Sequence, residues 1–171
     1  TKVLTGRVAH IINKGKAWPS QILCVTFTNK ASKEMQNRIS TLLDKKSKSL
    51  PWLGTFHSLS AKFLRRHAEA VGLNSKFTIL DKEDQTRLIK KISKSENIDF
   101  KKISPRLVIS TIDRWKNQGL SPDKVKTNKK IPFEKIIFNI YKIYQSRVKQ
   151  LNCCDFGDLI LYCVTMFESS T

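Results

Sequence analysis

Five consecutive residues carry most of the chemistry in this chain: Thr26, Phe27, Thr28, Asn29 and Lys30. An aromatic ring, two hydroxyls, an amide and an ammonium suit a single nucleic-acid strand. The ring can stack on a base, while the polar groups and backbone N–H groups meet phosphate. Each also has a plainer use. Phe27 can be a core aromatic at a strand end, and Thr28 with Asn29 can cap a helix. Thr55, Phe56 and His57 end a second apolar stretch. On pattern alone they read as a strand end with His57 as a cap. With no partner carboxylate evident near it, His57 is not read as a general base.

The elements around these residues read clearly. The apolar run 22–27 predicts a buried strand feeding a helix over about 30–43, with Ala31, Met35, Ile39 and Leu42 on one face. The loop between such a strand and helix is where open α/β sheets place ligands. Before it, Leu4, Val8, Ile11 and Ile12 share a helical face that Gly15 stops, and Pro19 breaks the following loop. Residues 52–56 predict a second strand. The order helix, strand, helix, strand predicts parallel pairing through crossover helices.

Beyond His57 the chain turns helical. Helices are expected over 58–70, over about 82–94 behind Asp81 and Asp84, and from Ser104-Pro105 to Gly119. Ser121-Pro122 opens a short turn. Residues 133–150 carry Phe133, Ile136, Ile137, Ile140, Ile143, Tyr144 and Val148 as a core face, and a last helix covers about 156–168. Residues 77–80, FTIL, read as an extended segment without an evident partner. Asp155 and Asp158 read as an N-cap and a first-turn acid rather than as a paired-carboxylate site.

Composition narrows the function classes. The 171 residues carry a net charge of +18. Residues 1–56 carry +8, residues 57–150 carry +13 and residues 151–171 carry −3. Such a field attracts polyanions and speeds their encounter. Arg65-Arg66, Lys90-Lys91, Lys101-Lys102 and Lys129-Lys130 are candidate duplex-backbone contacts, each also explicable as a solvated face. Trp115, between Arg114 and Lys116, is as well suited to a core. No apolar run reaches membrane-spanning length, and no signal peptide is visible. Cys24, Cys153, Cys154 and Cys163 form no C-x-x-C pair, and with His10, His57 and His67 they show no metal-ligand spacing. They read as reduced structural thiols of a cytoplasmic protein.

Three strings add a resemblance. VTFTNKASKEM, residues 25–35, resembles motif Ia of the UvrD/Rep/PcrA-type superfamily 1 DNA helicases. GTFHSL at 54–59 resembles that family's following motif, and DFGDLI at 155–160 resembles the stretch before its Walker B segment. The opening residues TKVLTGRVAHII look like the helix after the phosphate loop, which makes Thr1 the Walker A threonine. The ordered motifs span essentially the whole chain.

The resemblance implies a fold and a function. The fold is α/β: part of a RecA-like parallel sheet in residues 1–57, a basic helical accessory insertion in 58–150, and a return helix in 151–171. The function is that of an ATP-dependent 3′-to-5′ DNA helicase in repair or replication, acting on single strands and single/double-strand junctions. Other repair proteins are possible partners. ATP and Mg²⁺ are the implied cofactors, with Thr1 at the metal. Thr26, Phe27, Thr28, Asn29, Lys30, Thr55, Phe56 and His57 are the implied DNA contacts. The phosphate-loop lysine is expected before Thr1, and the Walker B acids and second motor domain beyond Thr171. The chain alone is therefore expected to bind DNA and hydrolyse no ATP. The alternative is a non-catalytic, basic nucleic-acid-binding module.

Overall fold

The computed structural model describes residues 2–43, 50–98, 103–128, 131 and 133–169. Thr1, Lys101, Lys102, Lys129 and Lys130 lie outside the described residues. The chain divides into two compact units, Thr1–Lys62 and Phe63–Thr171.

In the first unit, α1 (Lys2–Asn13) precedes a short 3-10 turn at Pro19–Gln21, followed by β1 (Cys24–Thr26), α2 (Asn29–Leu42) and β2 (Leu53–Thr55). α3 (Phe56–Arg66) begins there and carries the division between the units. β1 and β2 pair in parallel, with Cys24 opposite Leu53, Val25 opposite Gly54 and Thr26 opposite Thr55. The strands are shorter than the apolar runs that announce them, because Ile22 and Phe27 fall outside the ladder. Val8, Ala9, Cys24, Met35, Ile39, Leu43 and Leu50 form the core. Leu4 and Leu42 were expected on it but stand exposed, and Leu43 takes the place given to Leu42. Gly15 does end α1, at φ +64°, a left-handed conformation that favours glycine.

In the second unit, β3 (Thr78–Leu80) leads into α4 (Lys82–Ser95), α5 (Pro105–Asn117) and α6 (Glu134–Gln150), and β4 (Cys153–Asp155) into α7 (Phe156–Ser169). The extended FTIL segment finds its partner in β4, with Thr78 opposite Cys153 and Leu80 opposite Asp155 in parallel. Asp81 caps α4 by accepting from Asp84 N–H at 2.8 Å. Ser104 caps α5 by accepting from Leu107 N–H, with Pro105 at the first helical position. Ile89, Ile92, Val108, Ile112, Trp115, Ile137, Ile140, Tyr141, Tyr144 and Val148 pack the core. Trp115 is thus a core residue, stacked on Tyr141. Phe133 and Ile136 leave the expected face of α6 and are partly exposed. The buried stripe runs through Ile137, Ile140, Tyr144 and Val148, at helical spacing, and turns those two outward.

One polar cluster is set inside this apolar interior. The Lys116 ammonium, fully buried, lies 2.6 Å from Asp155 and 2.7 Å from Asp158. The two aspartates also cap each other's backbone: Asp158 N–H donates to Asp155, and Asp155 N–H donates to Asp158. The capping roles read from sequence are therefore met, and the same carboxylates bind a lysine that nothing in the sequence marks. Tyr144 donates its hydroxyl to Asp155 at 2.9 Å, and Gln145 donates to Asp158 at 2.8 Å. Burial opposes the charge on Lys116, but Asp158 and Asp155 outweigh it and hold its pKa above the usual range. Burial, reinforced by the charge of Asp155, pushes the Asp158 carboxyl up.

All four cysteines are buried and none forms a disulfide. Burial raises the thiols of Cys24, Cys153 and Cys154, the last to about 12, which keeps them protonated and unreactive. No helix among the described residues is long and apolar enough to cross a membrane.

Lys116→Met leaves two buried carboxylates with no cation. It should destabilise the second unit by about 3–5 kcal/mol in urea unfolding. Adding Asp155→Asn and Asp158→Asn should recover most of that loss. A single variant as stable as the parent would show that the cluster contributes nothing.

Candidate nucleic-acid interface

Parallel pairing brings both strand C-termini of the first unit to one edge. Thr26 and Thr55 are register partners there. The β1–α2 loop and the β2–α3 junction therefore lie side by side, and residues 26–30 and 55–57, 29 positions apart in sequence, form one surface.

Phe27 is 90% exposed at this edge. A phenyl ring held in water by a two-residue loop gains nothing from the core, which removes the reading of Phe27 as a core aromatic. Phe56 stands beside it, with ring centroids 5.6 Å apart and planes at 59°. The rings meet at a tilt and leave no slot between them for a base. Phe56 braces the Phe27 ring, most of whose surface stays open to solvent.

Thr28 caps α2: its hydroxyl accepts from Ala31 N–H at 3.1 Å, with the backbone extended at φ −124°. Asn29 and Lys30 form the exposed first turn, which contains no acidic residue. The positive end of the helix dipole and its N–H groups thus face solvent beside an ammonium, an arrangement that accepts phosphate. Thr26 differs from its neighbours. It is buried, and its hydroxyl lies 3.1 Å from Thr28 O and 3.4 Å from Gly54 O, so it donates inward.

On the second loop, Thr55 and not His57 is the cap. Ser58 N–H donates to the Thr55 hydroxyl at 3.2 Å, and Thr55 N–H donates to Ser58 Oγ at 2.9 Å. Phe56 and His57 are consequently the first turn of α3 rather than the end of a strand, and both are exposed. The pair is reciprocal in the manner of a capping box, with Ser58 standing where Glu or Gln is usual, so the ordinary sequence signature is absent. Gly54 permits it: a Cβ there would fall 2.6 Å from Ser58 Oγ and 3.2 Å from Leu59.

The basic candidates are spread over the second unit. Arg65 and Arg66 occupy the last turn of α3, and Lys90 and Lys91 an exposed part of α4. Arg65 is partly engaged, with its guanidinium over the Phe77 ring and donating to Ser75 O at 3.4 Å. Other cations of this unit are paired, Lys82 with Asp113 and Arg87 with Glu83 and Asp84.

The UvrD/REP helicase N-terminal domain model matches residues 1–171. The chain belongs to that family. It is 44% identical over 165 residues to a probable DNA helicase II homolog of Rickettsia conorii, and 46% identical over 166 residues to DNA helicase II of Rickettsia typhi. It is 38% identical over 168 residues to the ATP-dependent DNA helicase PcrA of Staphylococcus epidermidis. These matches cover 95–98% of this chain and 23–25% of the relatives, so the chain spans about a quarter of their length.

Gly54→Ala should lower stability by about 1–3 kcal/mol through the overpacked β2–α3 junction. The pair Gly54→Ala/Ser58→Ala should recover part of that loss. Thermal melts of the two variants beside the parent check this.

Proposed function

We infer that the first unit grips single-stranded DNA as part of an ATP-dependent helicase that moves 3′ to 5′ on forked DNA. The observation that carries the reading is Phe27, an aromatic held in solvent beside a helix N-terminus and a lysine. The open ring face stacks on a base, and Thr28, Asn29, Lys30 and the first N–H groups of α2 meet the adjacent phosphates. Stacking accepts any base, which suits a protein that must pass every sequence. Thr55, Phe56 and His57 border the same track.

The basic helices of the second unit are read as the duplex-holding insertion. Reading these helices as an insertion is supported by β3 and β4, which pair in parallel although α4, α5 and α6 intervene between them. Arg65, Arg66, Lys90 and Lys91 supply backbone contacts of the kind that salt screens.

ATP and Mg²⁺ belong to this reading only for the longer protein, which we place in the cytoplasm. Among the described residues, no group of three or more His, Cys, Asp or Glu could hold a metal ion. The carboxylates of Asp155 and Asp158 are committed to Lys116. Thr1, the expected Mg²⁺ ligand, lies outside the described residues. The 171-residue chain should bind DNA and turn over no ATP.

Equilibrium binding to single-stranded, duplex and tailed-duplex DNA across a salt series tests the reading. Tailed duplex should bind tightest, and Phe27→Ala should weaken single-strand binding by about 1–3 kcal/mol. Equal binding to all three DNAs, unchanged by Phe27→Ala, would favour the basic nucleic-acid-binding module acting through charge alone. DNA-stimulated ATP hydrolysis by this chain would contradict the division of labour.

A further inference from the structure

We propose that Thr26 is a positioning residue for the strand-gripping loop, acting through Phe27 rather than by touching DNA. The inference rests on the stacking role given to Phe27 above. Thr26 is 9% exposed, so its side chain is withdrawn from the surface that its four sequence neighbours present. Its hydroxyl lies within hydrogen-bond distance of two carbonyls on different segments. Thr28 O belongs to the β1–α2 loop, and Gly54 O belongs to β2, the strand that delivers Phe56. A single hydroxyl thus ties the loop carrying Phe27 to the segment carrying its aromatic brace.

The geometry of the two rings depends on that tie. Phe27 has no core contact to orient it, being 90% exposed. Its orientation comes from the short loop and from the Phe56 ring 5.6 Å away. Phe56 is itself fixed, because the Thr55–Ser58 box sets the first turn of α3 on β2 and Gly54 lets that turn approach closely. Only the loop side needs a further restraint, and Thr26 supplies it. A ring already oriented loses less freedom when a base stacks on it. Valine at this position keeps the shape and removes the donor, so the loop can drift and the open face of Phe27 is no longer presented in one orientation. Serine keeps the donor.

The test is binding of a labelled oligothymidylate to the 171-residue chain carrying Thr26→Val or Thr26→Ser, each alone and combined with Phe27→Ala. Thr26→Val should weaken binding about three- to ten-fold, the value of one hydrogen bond. Thr26→Ser should bind within about two-fold of the parent. In the Phe27→Ala background Thr26→Val should cost nothing further. If the valine variant melts early, Thr26→Ala, which removes the hydroxyl without adding a methyl, gives the same comparison. Parent-like binding by Thr26→Val, or an equal loss with and without Phe27, would overturn the positioning role and leave the stacking role standing. Parent-like binding by Phe27→Ala would overturn the stacking role itself, and this inference with it.

Discussion

Two strands that run parallel must end on the same side. In the first unit that constraint does most of the work. The chain leaves β1 and β2 at one edge, so the loop after the first strand and the helix start after the second become neighbours. Thr26 opposite Thr55 sets how closely they approach. An antiparallel pair would have sent Phe27 and Phe56 to opposite ends of the sheet. The surface of aromatic, hydroxyl, amide and ammonium groups exists because the connection between the strands is a crossover helix, α2, buried through Met35 and Ile39.

The edge is made rigid by small polar side chains rather than by apolar packing. Thr28 caps α2, and Thr55 and Ser58 cap α3 reciprocally. Caps of this kind leave the outward faces of the two first turns open to a ligand while satisfying some of their own N–H groups. A loop stiffened by burying its aromatics would have nothing left to present.

The second unit uses the opposite strategy. Lys116, Asp155 and Asp158 are buried together, at a desolvation cost that their mutual contacts must offset. Tyr144 and Gln145 fill remaining hydrogen-bonding positions on the carboxylates. The cluster joins α5, α6, β4 and α7 at one point. An apolar contact there could slide by a turn, whereas an ammonium between two carboxylates admits one arrangement.

The sequence by itself determined the element order of the first unit, the parallel crossover, the caps at Asp81 and Ser104, the stop at Gly15 and the chemistry of residues 26–30. These depend on local periodicity and on conformations that single residues favour. Tertiary structure alone decided the rest. FTIL could not be assigned a partner because β4 lies more than seventy residues away, and strand pairing carries no local mark. Lys116 reads as one more surface lysine until its neighbours are known, since lysines are almost never buried unless paired. Phe27 and Thr26 sit side by side and look equally available to a ligand. Thr26, the last residue of β1, turns inward, while Phe27, the first of the loop, stands in solvent, and only the neighbouring strand supplies the carbonyl that gives Thr26 a second partner.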